Sequence, residues 1–521
     1  MFQGAILADE MGLGKTFMSI AVIFALHRRN KQHRFIIVCP SSLVGNWSKE
    51  FDKWIGKASQ PSRVVISKGG DDALRQIKSF VPTKPRMSEV LILSYEMFRA
   101  HSTVLSNSTQ IGCLVVDEGH RLKNASGSLT LSALNSLKSE SRLLITGTPI
   151  QNNLSEFYSI VEFVNPGIFG TLQSFRREYE NPISAAICKG STTRQKYDSK
   201  TQSQALEAIT STFMLRRLQT DVLGAILPPK TDTLLFCRPS NEQRNQYNQI
   251  VQRFQQRSTS DMSEALTVLT SLRKLCSHPA LLDDKDSSSN LQVSSSLSGK
   301  MFILESLLQS IRKNTPNDKC VIVSNFTSAL NVIEKSVLNK RGWKYLRLDG
   351  TVEQQSRQDL VDSFNRGTAD HSFVFLLSSK AGGCGLNLTG ANRLFMFDPD
   401  WNPAIDLQAM ARIYRQGQEK PCFVYRLFTT GSVEEIIYQR QTQKGNLSML
   451  TSSKKGTSAS FSSEDLQDCF ELKDSDCDTK EKLKGIWEDY DGVNSLIISG
   501  ITDEPLLQVA KQNADILSYV R

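Results

Sequence analysis

Two short stretches of the sequence bring together the residue types that phosphoryl transfer needs. Asp9-Glu-Met-Gly12-Leu13-Gly14-Lys15-Thr16 lies between an apolar run, Ala5–Ala8, and an apolar helical stretch, Phe17–Leu26. Glycines at such a place let backbone N–H groups approach phosphate oxygens, and the N-terminus of the following helix adds its dipole. Gly12, Leu13 and Gly14 would wrap the phosphates, Lys15 would reach the β- and γ-phosphates, and Thr16 would ligate Mg2+. The first glycine of the general G-x-x-x-x-G-K-[ST] pattern is replaced by Asp9. The second stretch, Leu114-Val-Val-Asp117-Glu118-Gly-His120, is an apolar run ending in two carboxylates. Asp117 can hold the Mg2+ shell, and Glu118 can orient and deprotonate an attacking water. An acidic turn after a core strand is common, and so is a bare Gly-Lys-Thr. The strand before, the helix after and the carboxylates one lobe-length downstream distinguish this pair. Leu144-Ile-Thr146-Gly147-Thr148-Pro149 ends a further run with hydroxyls that can bond the Asp-Glu pair.

Phosphoryl transfer also wants positive charge on its transition state, often from an arginine. Gln408-Ala-Met-Ala-Arg412-Ile-Tyr-Arg415-Gln-Gly-Gln418 supplies two arginines at i and i+3, which a helix would present on one face. Gln408 heads the same stretch and is a candidate cofactor-binding residue. Helix-face arginines are usually solvated, so the spacing alone carries little weight. Gly382-Gly383-Cys384-Gly385-Leu-Asn387 allows close backbone approach to either a phosphate or a nucleic-acid strand.

Positioning these groups calls for parallel sheets. Ala5–Ala8, Phe35–Cys39, Arg63–Ser67, Val90–Ser94, Cys113–Asp117 and Arg142–Thr146 are apolar throughout rather than alternating. Such runs read as strands covered on both faces. A second set follows at Cys320–Ser324, Tyr345–Leu348, Phe373–Leu377, Leu394–Phe397 and Phe423–Phe428, with Thr233–Cys237 as a candidate opening strand. Two doubly wound α/β lobes are the economical reading. The first lobe is expected over 1–151, a helical insertion over 152–225, and the second lobe over 226–450. The second lobe would carry a helical protrusion at 239–283 and a Ser/Asp-rich disordered loop at 284–298. Ser432–Gly445 reads as one helix leaving that lobe. Residues 451–521 read as a Ser/Lys/Gly-rich linker and a small acidic extension.

The bulk composition agrees with this division. A chain of 521 residues exceeds one core, and 39% hydrophobic with 22% charged residues is an ordinary globular balance. No run is long and apolar enough for a membrane span, and the N-terminus lacks a signal-peptide layout. The ten cysteines are scattered without a C-x-x-C pair, which points to a reducing compartment rather than a disulfide framework or a classical zinc site. Residues 461–521 carry a net −8, leaving 1–460 with 56 basic and 39 acidic residues, a net +17. That basic body suits a polyanion such as nucleic acid, or is simply a solvated basic surface.

Taken in order, the motifs resemble superfamily-two helicase-like motors of the Swi/Snf type. ADEMGLGKT (8–16) resembles motif I, VCPSSLVGNW (38–47) motif Ia, LSYEMF (93–98) motif Ib, DEGH (117–120) motif II and LLITGTPIQNNL (143–154) motif III. VSNFTSAL (323–330) and LDGT (348–351) are similar to motif IV and its neighbour. SSKAGGCGLNLTGAN (378–392) is similar to motif V, and DPDWNPAIDLQAMARIYRQGQ (398–418) to motif VI. The resemblance covers about 2–450. DEGHRLKN, LPPK, FCRP and the SVEEIIYQRQTQKG helix look closest to the Rad fifty-four recombination-repair branch, as does the far C-terminus more loosely.

The resemblance implies two RecA-like lobes and an ATP- and Mg2+-dependent translocase on double-stranded DNA in the nucleus. It would remodel recombinase-filament or nucleosome complexes without separating strands. Lys15, Thr16 and Asp117 would bind ATP–Mg2+ on the first lobe, and Arg412 and Arg415 would arrive from the second. The resemblance sets Pro40, Ser94, Lys380 and Gly383 near the DNA backbone, contacts that are sequence-blind and salt-sensitive. Trp401 is either a DNA contact or a packed aromatic. Two departures stand out. The family's adenine-reading glutamine segment and N-terminal partner arm find no room before Ala5–Ala8. The paired tail cysteines are reduced to Cys469 and Cys477, which makes a zinc site doubtful. A nucleosome remodeller, an RNA helicase and a catalytically impaired DNA-binding scaffold are the rival readings.

Overall fold

A computed structural model describes residues 4–29, 34–56, 61–67, 69–81, 89–106, 111–122, 129–147, 154–185, 192–256, 262–282, 294–382, 386–448, 472, 501–513 and 516–520. The chain forms two units, the first built on Met1–Ala225 and the second on Ile226–Gln443.

The first unit holds a seven-stranded sheet made of β1 (Gly4–Leu7), β2 (Arg34–Cys39), β3 (Ser62–Ile66), β4 (Glu89–Ser94), β5 (Ile111–Asp117), β6 (Ser139–Ile145) and β7 (Met214–Leu215), in the order β3-β4-β2-β5-β6-β1-β7. Every pairing is parallel. The six apolar runs of the first set are all strands. β2 and β5 are buried at every residue, as strands between two helical layers must be. One core face gathers Ile36, Val38, Leu114 and Val116, and the other gathers Phe35, Ile37, Cys113 and Val115. This is the period-two alternation of a strand covered on both sides.

β7 adds a strand to 152–225, the stretch read as a helical insertion. Helices Leu154–Val164 and Thr193–Thr210 are present, but the chain then returns to the sheet as a two-residue strand beside β1. Bonds from Ile6 N–H to Phe213 O and from Ala8 N–H to Leu215 O, both 2.8 Å, hold it there.

The second unit holds β8 (Lys230–Cys237), β9 (Cys320–Ser324), β10 (Tyr345–Leu348), β11 (Val374–Ser378), β12 (Arg393–Met396), β13 (Cys422–Thr429) and β14 (Leu517–Val520), in the order β10-β11-β9-β12-β13-β8-β14. β14 alone runs antiparallel. The C-terminal residues are therefore part of this sheet rather than an appended element. Helix Glu504–Gln512 buries Leu506, Val509 and Ala510 in the core of the unit, and β14 covers the open edge of β8. A buried cluster ties this segment down. Arg393 bonds Asp318 at 2.7 Å and Asp503 at 3.0 Å, and Tyr425 donates its hydroxyl to Asp503 at 2.5 Å.

The loop expected at 284–298 is ordered over its described part. Ser295–Leu297 forms a helical turn, the Ser295 hydroxyl bonds Glu305, and Ser298 caps the helix Gly299–Asn314. Residues 284–293, the linker 451–463 and Cys469 and Cys477 lie outside the described residues. Among the described residues no helix is long and apolar enough to cross a membrane, and no three acidic, His or Cys residues form a metal cluster.

Candidate nucleotide site

The site in the first unit forms where parallel strands end. Ser94, Cys39 and Asp117 close the neighbouring strands β4, β2 and β5, so their loops share the carboxyl edge where α/β sheets bind ligands. β1 delivers the phosphate loop to the same edge. Gly12 and Gly14 have φ of 86° and 75°, a backbone that side chains rarely adopt. They turn the chain into the helix Lys15–Arg29, whose first turn carries Lys15 and Thr16.

The Lys15 ammonium donates to the carbonyls of Asp9 at 2.8 Å and Glu10 at 3.1 Å, folding back over its own loop. Burial lowers its pKa, and the carboxylates of Glu118, Asp117, Asp9 and Glu10 work against that shift. The lysine is thus a partly buried cation among four carboxylates, a setting that a triphosphate with its metal can enter.

Asp9, the departure from the glycine pattern, has a structural reason. Its carboxylate is fully buried and paired with Arg217, which donates from its backbone N–H at 2.9 Å, from Nε at 3.1 Å and from Nη2 at 2.5 Å. Next door, Glu10 accepts the Gln219 N–H at 2.7 Å. No local pattern marks Arg217 or Gln219, because their partners lie some 200 residues away; a paired Arg216-Arg217 before Thr220-Asp221 is all the sequence offers.

Asp117 is held from both sides. The Trp47 indole N–H donates to Oδ2 and the Glu118 N–H to Oδ1, both at 2.9 Å, while the Tyr95 hydroxyl donates to the Asp117 carbonyl at 2.5 Å. Burial, with Glu118 adding to it, pushes the Asp117 carboxyl up to about 7. Glu118 sits at φ 53°, the one non-glycine residue of positive φ among those described, and a side chain pays for such a conformation. Gly119 follows because a Cβ there would overlap Leu144. Thr146 is fully buried and its N–H donates to Leu7 O at 3.1 Å, while Gly147 makes room for Met11. Thr148 and Pro149 lie outside the described residues. The Thr16 hydroxyl and the Asp117 carboxylate are hard oxygen donors of the kind Mg2+ takes, and the Lys15 ammonium is of the kind that pairs with phosphates.

Pro40 and Ser94 are both buried, and the Ser94 hydroxyl caps the helix Tyr95–Ala100 by accepting the Met97 N–H at 3.2 Å. Lys380, in the second unit, is exposed just past β11; Gly383 lies outside the described residues.

The second unit corrects the setting of the arginines. The helix Pro403–Met410 ends before them, so Arg412 and Arg415 lie on a turn rather than on a helical face. Gln418 makes that turn possible. Its amide donates to Ala391 O at 2.8 Å and Ile413 O at 3.0 Å and accepts from Lys420 N–H at 3.0 Å, and these bonds outcompete continued helix. Arg412 is buried with its carbonyl on the Leu388 N–H at 2.9 Å, and Arg415 reaches Leu386 O at 3.5 Å. Gln408 is half-buried on the preceding helix. Below it, buried Asp406 accepts the Gln441 amide at 2.6 Å. Trp401 packs against a small cluster that includes Leu272, Val433 and Ile437.

The family profile described as SNF2-related domain matches residues 1–281, and that of the Helicase conserved C-terminal domain matches 299–417. The chain is 42% identical over 514 residues to DNA repair protein rhp54 of Schizosaccharomyces pombe, covering 92% of this chain and 60% of that one. It is 40% identical to the DNA repair and recombination protein RAD54-like of Gallus gallus, covering 92% of this chain and 69% of that one. It thus spans roughly three fifths to two thirds of the length of these relatives. The Sulfolobus solfataricus SWI2/SNF2 ATPase core in complex with dsDNA aligns at 28% identity over 91% of this chain and 93% of that chain, with a TM-score of 0.38. The chain belongs to the SNF2-related family, in the branch of the RAD54-like proteins.

Proposed function

We propose that the protein is an ATP-dependent double-stranded DNA translocase of homologous recombination and DNA repair. It acts in the nucleus and remodels recombinase–DNA or chromatin complexes without separating strands. The observation that carries this is the convergence of Lys15 with the Asp117–Glu118 pair at the carboxyl edge of one parallel sheet, in a chain whose relatives are named for DNA repair and recombination.

On ATP binding the Lys15 ammonium exchanges its carbonyl partners for phosphate oxygens, a charge-assisted and therefore stronger pairing. Thr16 and Asp117 would hold Mg2+, which would supply charge neutralisation at the phosphates. Glu118 accepts a proton from the attacking water. Arg412 and Arg415 supply positive charge to the transition state, and Gln418 fixes the turn that carries them. Lys380, exposed beyond β11, is the second-unit cation assigned here to a DNA phosphate.

A nucleosome remodeller of the same family is the second reading, favoured by the shared motor motifs alone. Phosphate release measured in parallel without nucleic acid, with duplex DNA, with single-stranded DNA and with RNA tests the proposal. Duplex DNA should stimulate most, and stimulation by RNA above duplex DNA would overturn it. Comparing recombinase filaments with nucleosomes as stimulants separates the two readings.

A further inference from the structure

The contact between Asp9 and Arg217 joins the loop between β1 and the helix Lys15–Arg29 to the segment beyond β7. It also solves an electrostatic problem. Asp9 is fully buried in the loop that must receive a triphosphate, and an unpaired carboxylate there would repel the ligand and compete for Lys15. Arg217 meets that carboxylate with its backbone and two side-chain nitrogens while remaining 39% exposed at its own outer face. The ladder continues past β7, with Glu10 N–H donating to Arg217 O at 2.9 Å. The carbonyl of Asp9 is also one of the two acceptors on which Lys15 rests.

We infer that Arg217 is a positioning residue for the phosphate loop. By neutralising Asp9 it keeps the loop receptive to the triphosphate and leaves Lys15 free to transfer to it. The segment 213–219, which follows the helix Thr193–Thr210, thereby holds both β1 and the loop beyond it. The inference rests on Lys15 being the phosphate-contacting lysine.

The test is steady-state ATP hydrolysis on duplex DNA by the whole chain. Arg217→Gln should raise KM for ATP by about tenfold with kcat changed by less than about threefold. Adding Asp9→Asn to Arg217→Gln should recover most of the loss, because it removes the orphaned charge; a role confined to packing gives no recovery. An unchanged KM in Arg217→Gln, or a double variant no better than the single one, overturns the inference. Asp9→Asn alone gives a second handle should Arg217→Gln not fold. It leaves an uncompensated cation beside the loop, so KM should hold or fall, and a tenfold rise would overturn the electrostatic account. Lys15→Ala separates this from the parent reading: full turnover in that variant removes the phosphate-loop assignment itself, whereas loss of turnover there with an unaltered Arg217→Gln removes only the role of Arg217.

Discussion

The indole N–H of Trp47 donates to the carboxylate of Asp117 at 2.9 Å, joining the helix Val44–Trp54 that follows β2 to the tip of β5. Trp47 is among the largest fully buried side chains of the chain, so its ring is fixed by packing and its single donor is aimed. With the Glu118 N–H on the other oxygen, Asp117 has one orientation in which lone pairs remain for a metal. Trp47→Phe keeps an aromatic ring in place but removes the donor together with the five-membered ring of the indole. Its turnover should fall by about tenfold, with a raised Mg2+ requirement, measured by phosphate release across a Mg2+ titration.

Lys15→Ala should reduce ATP turnover by at least about a hundredfold while duplex binding, followed by fluorescence anisotropy, is largely kept. Undiminished hydrolysis would show that the ammonium does not serve the phosphates.

Arg415→Ala should lower kcat by about a hundredfold or more without a matching loss of ATP affinity, the pattern expected of a guanidinium proposed to meet transition-state charge. Pre-steady-state hydrolysis alongside equilibrium nucleotide binding checks it. A matched loss of affinity would place Arg415 in ground-state binding instead.

Gly119→Ala should cost about 2–3 kcal/mol in stability, because the added methyl overlaps the buried Leu144 side chain. Leu144→Ala in the same chain should not add a full cavity cost to that loss, a coupling that denaturant titration of the four forms would read.

Burial drives the Asp406 carboxyl up to about 7, while an unfolded chain titrates it near the ordinary carboxylate value of 3.8. The folded form therefore holds a proton that the unfolded form has released between those values. Stability contributed by this group is full below the lower value and is lost as pH rises through the upper one. Asp406→Asn should match the wild type near pH 4 and exceed it at pH 8, by up to about 4 kcal/mol. Thermal melts across pH 4–8 would show it, and a constant difference across that range would remove the effect from Asp406.

Some of this was readable from the chain alone, and the dividing line is physical. The phosphate loop and the Asp117–Glu118 pair are each written in one contiguous strand–loop segment, where local sterics and β-branched runs decide the backbone. The doubly wound sheets followed from the same local apolar runs. What joins distant segments left no local mark. Asp9 and Arg217 are separated by 208 residues, and Trp47 and Asp117 by 70. A buried carboxylate must find a partner wherever the fold brings one, and no spacing rule reports which. β7 is two residues long, too short for any periodicity, and exists because β1 offers it an unpaired edge. The arginine spacing suggested a helix. Tertiary structure decided otherwise, because Gln418 satisfies carbonyls and amides that a continued helix would have claimed. Sequence thus determined which residues are candidates to meet phosphates, and only the folded chain decided which residues hold those candidates in place.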